Sequence, residues 1–136
     1  MKTNKLLYWT STIIITGVFA WSAINFTLNE EMKNAFSHFG LPDWFRIELT
    51  IAKLLGAFAL LIPGIPHKAK IFAYCGFAIT LISAAVAHLS SGDSVLIEIG
   101  HSFFFASLIV SYVYYDRIRK EAHSLAKQSI SLKVGL

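Results

Sequence analysis

Six of the polar side chains that stand inside or at the ends of otherwise apolar stretches of this sequence are the candidates for chemistry. They are Lys53, His101, Glu98, Glu48, His88 and Asn25. An unpaired ammonium at the centre of a bilayer costs about 2.5–3.5 kcal/mol on insertion scales, so an intramembrane lysine marks a functional site by default. Lys53 is therefore predicted to pair with Glu98 or Glu48. Ammonium and imidazole groups can donate hydrogen bonds and carboxylates can relay protons, so the six residues are candidates for a ligand-binding site.

Glu98, His101 and Ser102 follow one another at helical spacings of three and four residues, which places them on one face. Glu-x-x-His also occurs in di-iron helix bundles, but such sites need the pair twice and two more carboxylates, and here it occurs once. Cys75 is the single cysteine, which excludes an internal disulfide and a Cys-x-x-Cys couple. The sequence thus predicts neither a metal site nor chemistry by paired thiols.

The elements that must position these side chains are four apolar stretches, at residues 6–28, 45–62, 69–89 and 95–115. The chain has 136 residues, of which 55% are hydrophobic and 15% charged, whereas globular proteins carry roughly 25% charged residues. Each stretch is long enough to cross a bilayer at about 1.5 Å per residue. We predict an all-α fold, an integral membrane antiparallel four-helix bundle that makes residues 1–136 a single domain with a basic tail at 116–136.

The second stretch places Arg46, Thr50, Lys53 and Ala57 on one helical face, with Gly56 beside it. Small residues let a neighbouring helix approach closely, so this face is predicted to point into the bundle.

The third stretch repeats Gly76, Thr80, Ala84 and His88 every four residues. This ridge of small side chains is predicted to serve close helix packing.

Between the first and second stretches, residues 29–43 predict a short amphipathic helix. Asn29 is placed to cap it, and its apolar side chains recur at helical spacing: Met32, Ala35, Phe36 and Phe39. Such a helix is expected on the outer membrane surface or over the mouth of the bundle.

The charge distribution predicts the orientation. If all four stretches span, one side of the membrane carries Lys2, Lys5, Lys68, Lys70, Arg117, Arg119, Lys120, Lys127 and Lys133. The other side carries only Lys33 and Arg46. The positive-inside rule then places both termini in the cytoplasm. The basic tail is interpreted as an orientation signal that contacts lipid headgroups, and no nucleic-acid partner is predicted.

In that orientation the six polar residues all gather in the outer half of the bundle. The cytoplasmic half is nearly pure Leu, Ile, Phe and Ala, so the polar residues are predicted to line a pocket that is open to the outside and closed beneath. The alternative is a buried polar network that only fixes the register of the helices. The residues alone favour neither the pocket nor the structural network.

The sequence resembles the DoxX family of small four-helix membrane proteins, in particular its DoxX-like branch, over nearly the whole of residues 5–118. The resemblance is carried by Tyr8-Trp9, the segments 40–45 and 52–57, Ile62-Pro63-Gly64 and the histidine that ends the third stretch. It implies a bundle in the inner, cytoplasmic membrane of a bacterium. It also implies an association with redox chemistry, since namesake relatives belong to a thiosulfate:quinone oxidoreductase and to membrane oxidoreductase complexes.

Two functions remain open at this point. In the first, the chain is a redox-linked subunit in which Lys53 and His101 hydrogen-bond a quinone carbonyl and Glu48 or Glu98 relays protons. In the second, it is a non-catalytic membrane protein that binds a small ligand or a partner. No flavin, haem or iron-sulfur motif is present, so no intrinsic cofactor is predicted, and the sequence does not decide whether the chain is an enzyme. The expected partners are the lipid bilayer and either a redox partner protein or a second copy of the chain.

Overall fold

The computed structural model describes residues 2–134, which form five helices. They are α1 (Lys2–Leu28), α2 (Glu30–His38), α3 (Asp43–Leu61), α4 (His67–Ser91) and α5 (Val95–Val134). The predicted all-α class is confirmed. The helices number five because the short helix predicted between the first two stretches, α2, adds to the four long ones. Three of the helices, α1, α4 and α5, are long and apolar enough to cross a membrane.

The long helices pack in a ring, since α1 and α4 each contact both α3 and α5. The hydrophobic core between them includes Ile15, Phe19, Leu60, Phe77 and Leu108. Phe19 of α1 and Phe77 of α4 stack with their ring centroids 3.8 Å apart, so the core joins opposite sides of the ring. The short helix α2 contacts α1 and α3.

Helix α2 begins as the sequence predicts. The side chain of Asn29 accepts a hydrogen bond of 2.9 Å from the backbone N–H of Glu31, which satisfies one of the unpaired donors of the first turn. Phe36 is buried. Gly40, at φ +70°, makes the turn toward α3, a conformation that other residues adopt at a cost.

Arg46 joins the start of α3 to the end of α1. Its Nε donates to the Asp43 carboxylate at 2.7 Å, and its Nη1 donates to the backbone carbonyl of Phe26. The Arg46 hydrogen bond lowers the pKa of Asp43 below its ordinary value. The guanidinium thereby satisfies a carbonyl near the C-terminal end of α1, which has no partner of its own.

The buried face of α3 is the one that the sequence predicts. It consists of Arg46, Thr50, Lys53, Ala57 and Leu60. Close approach beside it is also confirmed, because a Cβ atom on Gly56 would lie 2.4 Å from Cε1 of Phe77 on α4. Helix α3 ends at Leu61, just before Pro63, as expected where proline removes a backbone donor.

The half of the structure that holds the N-terminal part of α1, interpreted above as nearly pure Leu, Ile, Phe and Ala, also contains a buried network of hydroxyl groups. Ser111 of α5 is fully buried, and its Oγ lies 2.7 Å from Oγ1 of Thr12 and 2.8 Å from the hydroxyl of Tyr74. Hydroxyl groups between helices satisfy one another in this way and hold the helices together. Composition hides this network because serine, threonine and tyrosine carry no charge.

A second polar contact in this half closes the end of α3. The Leu60 carbonyl, in the last turn of that helix, accepts hydrogen bonds from the Tyr8 hydroxyl at 3.2 Å and from Lys70 Nζ at 3.1 Å. Carbonyls in a last turn lack intrahelical partners, and a cation there also complements the helix dipole. Lys70 is 3% exposed, so it is part of the interior rather than of the basic surface.

The predicted tail at 116–136 continues α5 as one helix of 40 residues, through Val134. At about 1.5 Å per residue this helix is about 60 Å long, twice the hydrocarbon thickness of roughly 30 Å. Asn4 of α1 donates to the Glu121 carboxylate at 2.7 Å. Beyond that contact, every residue from 122 to 134 is exposed.

Candidate functional site

A cavity of about 550 Å³ lies between the helices at the end covered by α2, and all five helices line it. Its walls are mainly apolar. The aromatic side chains that line it are Phe19, Trp21, Phe26, Phe36, Phe39, Phe45 and Phe104. Its polar lining includes Lys53, His88 and His101. An apolar cavity with a few convergent polar groups is the usual form of a small-molecule site.

The cavity exists because small residues line the side formed by α4. Thr80 and Ala84, with Ser83 and Ala87 beside them, leave space that larger side chains would fill. The prediction that the ridge with Thr80 and Ala84 packs against a neighbouring helix is wrong, because these residues line the cavity. At the start of the ridge, Gly76 is exposed, and a Cβ there would meet no atom of another described helix within 4 Å. The rest of the ridge faces the cavity.

Lys53 is 6% exposed and is held by neutral groups. Its Nζ donates to Oγ of Ser22 at 3.0 Å and lies 3.6 Å from the centroid of the Phe26 ring. A cation over an aromatic face is stabilised by the quadrupole of the ring. Within residues 2–134 no carboxylate oxygen lies within 4.0 Å of Nζ.

The predicted pairing of Lys53 with Glu98 or Glu48 is therefore wrong. Glu48 is exposed, because residues five apart on a helix lie on different faces. Glu98 is partly buried and does not line the cavity. Its Oε1 is buried, with no hydrogen-bond partner among residues 2–134. Removing Lys53 would leave Glu98 with the same surroundings.

The two histidines lie together on the cavity wall, with ring centroids 5.2 Å apart. Nδ1 of His101 lies 3.0 Å from the Ile97 carbonyl, and Nδ1 of His88 lies 2.7 Å from Oδ2 of Asp93. A carbonyl and an ionised carboxylate only accept, so each Nδ1 carries a proton and donates it. When the two rings are neutral, Nε2 of His88 and Nε2 of His101 are therefore acceptors. Within the described residues, neither Nε2 atom makes a hydrogen bond.

The end of α2 meets this histidine pair. Phe39 packs edge-on against the His88 ring with centroids 5.0 Å apart. Oδ1 of Asp93 lies 4.0 Å from Nε2 of His38. Asp93 therefore orients His88 and also faces the last residue of α2, which helps to hold that helix over the cavity.

Of the six residues predicted for the site, the structure brings Lys53, His88 and His101 to the cavity. Glu48, Glu98 and Asn25 are elsewhere; the Asn25 side-chain amide donates to the Trp21 carbonyl at 2.8 Å, within its own helix. Sequence reasoning missed Ser22 and Phe26, which hold the lysine. Their spacing of four residues on α1 was the available signal, because it gives one face a hydroxyl and an aromatic ring.

A chain whose described residues are almost wholly helical, with three helices apolar enough to cross a bilayer, is a membrane protein. The model of the DoxX-like family matches residues 9–111. This chain belongs to the DoxX-like family, as its sequence resemblance predicts. No curated protein and no solved structure matches it significantly.

Proposed function

We propose that this protein binds a lipid-soluble quinone in the cavity and acts as a redox-linked subunit of the bacterial inner membrane. The observation that carries the proposal is that Lys53 is buried and, among the described residues, has no carboxylate partner. An ammonium has three N–H donors, and among the described residues one of them bonds a neutral hydroxyl, Ser22 Oγ. A buried amino group with N–H donors to spare favours a ligand that presents an acceptor, such as a quinone carbonyl.

The remaining lining suits the same ligand. A volume of about 550 Å³ falls within the range of small-molecule sites, roughly 300–1,000 Å³. Aromatic walls favour a flat ring. Nε2 of His88 and of His101 can accept hydrogen bonds from hydroxyls, so the site serves the quinone through Lys53 and the quinol through the imidazoles. The bound quinone would supply the two-electron chemistry, and a redox partner protein would exchange those electrons with it.

The proposal includes the arrangement in the membrane. Helices α1, α3, α4 and α5 cross it as an antiparallel four-helix bundle with both termini in the cytoplasm, and the cavity lies in the outer half. Support comes from the basic residues at the start of α1 and along 117–133. Two of the charges in α3 are compatible with a crossing helix because Arg46 and Lys53 are buried against the other helices.

One observation favours a partner-binding role beside the ligand site. The stretch 122–134 is a helix exposed on all sides, and the basic residues Lys127 and Lys133 lie on it. Such a helix offers a surface to a redox partner or to a second copy of the chain.

Tryptophan fluorescence tests the proposed binding. Of the three tryptophans, Trp21 lines the cavity, so a decyl-substituted benzoquinone should quench the emission of purified protein in lipid nanodiscs with a saturable phase. In Trp21→Phe the saturable phase should disappear, while the linear quenching of Trp9 and Trp44 by quinone dissolved in the lipid remains. Purely linear quenching in the intact protein would contradict the proposal.

A further inference from the structure

An open groove runs along the outer surface between α4 and α5. It has a volume of about 270 Å³ and is lined by Leu81, Ile82, Ala85, His101, Ser102, Phe105, Ala106 and Ile109. Two of these residues, Leu81 and His101, also line the cavity. The groove therefore begins at the cavity wall and follows α5 from His101 to Ile109, about 12 Å at 1.5 Å per residue.

We infer that this groove holds the hydrocarbon tail of the ligand, so that the protein takes a long-chain amphiphile whose head lies in the cavity and whose tail leaves between α4 and α5. The inference rests on the proposed function and names the chemical class of its ligand. A long isoprenoid or acyl chain does not fit beside a ring within about 550 Å³, so a tailed ligand needs an opening to the lipid.

Contacts that the structure shows also lie at two other sides of the bundle and at its end. Between α1 and α3, Arg46 bonds the Phe26 carbonyl. Between α3 and α4, Gly56 lies against the Phe77 ring, and neither residue lines the cavity. At the end of the bundle, α2 covers the cavity with Met32 and Phe36.

The groove has the composition that an apolar chain requires. Small side chains leave its space open, at Ala85 on α4 and at Ser102 and Ala106 on α5, while Ile82 and Ile109 form apolar edges. Its surface belongs to the part of α5 that is apolar enough to span a membrane. A tail in the groove therefore remains within the hydrocarbon of the bilayer. A substitution that fills the groove should lower ligand affinity by steric exclusion of the tail rather than by loss of apolar burial.

The test compares a decyl-substituted benzoquinone with its methyl-substituted counterpart on Ala106→Phe. The phenyl ring should fill the groove and lower affinity for the decyl compound by about tenfold to a hundredfold, the penalty of forcing atoms into occupied space. Affinity for the methyl compound should stay within about twofold of the intact protein, which also shows that the variant folds. Val110→Phe is the matched control, since Val110 is exposed on α5 and lies outside the groove; it should leave both affinities unchanged.

Each other outcome has a definite meaning. If both quinones bind Ala106→Phe as they bind the intact protein, the tail does not lie in the groove, although the proposed function stands. Equal weakening of both compounds overturns the inference in the same way. A change in oligomeric mass without discrimination between the two compounds would assign the groove to a second copy. Failure of both compounds to bind the intact protein would overturn the proposed function itself.

Discussion

Lys53→Met is expected to weaken binding of the decyl-substituted benzoquinone by about tenfold to a hundredfold, because a hydrogen bond from a charged donor is worth about 1.5–3 kcal/mol. Methionine keeps the length and flexibility of the side chain but cannot donate. Its sulfur also packs well against aromatic rings such as Phe26, which lies beside Lys53 Nζ. The measurement is the saturable quenching of Trp21 in nanodiscs.

The matched control is Lys68→Met, the same change at an exposed lysine outside the cavity. It should leave quinone affinity unchanged. Lys53→Met should remain folded, since replacing a buried charge by an apolar side chain of similar size is often neutral or stabilising. Equal affinities in the two variants would mean that Lys53 does not bind the ligand.

Gly56→Ala is expected to lower the free energy of unfolding by about 1–3 kcal/mol, the usual cost of inserting a methyl group into a filled interior. The new Cβ would lie 2.4 Å from Cε1 of Phe77. That ring cannot turn aside cheaply, because it is 3% exposed and stacks on Phe19 with centroids 3.8 Å apart. The loss should exceed the gain in helix propensity from glycine to alanine, about 0.5–1 kcal/mol. Thermal unfolding of the two proteins in detergent measures this loss of stability.

Gly76→Ala gives the opposite expectation with the same chemical change. Its Cβ would meet open space within α4, so only the gain in helix propensity remains, and the unfolding temperature should stay the same or rise. If both glycine variants shift the unfolding temperature alike, α3 and α4 are not in close contact at Gly56.

The sequence predicts the elements and the buried face of α3 well, because both follow from local rules. Arg46, Thr50, Lys53 and Ala57 recur at helical spacing, and the helix buries that face. Asn29 caps α2 because its side chain needs only the backbone two residues on. The extension of α5 beyond residue 115 was missed because length and hydropathy define a span, not the residue at which its helix ends.

The partners of the polar residues were harder to predict, because they depend on the rotation of one helix against another. Considered by charge alone, Lys53 should pair with a carboxylate. In the structure its partners are instead the Ser22 hydroxyl and the Phe26 ring of α1. A lysine can be stabilised by a hydroxyl and an aromatic face, and neither contributes to a count of charges. The same limit hid the contacts of Ser111 with Thr12 and Tyr74.

The proposal that the cavity holds a quinone beside Lys53 is tested most directly by what the protein carries out of the membrane. Intact protein, Lys53→Met and Lys68→Met would be purified in parallel in a mild detergent, and their bound lipids extracted with organic solvent and quantified by mass spectrometry. The intact protein and Lys68→Met should retain quinone at close to one molecule per chain, and Lys53→Met should retain little. Equal quinone in all three, or none above the level of an unrelated membrane protein from the same preparation, would contradict the proposal.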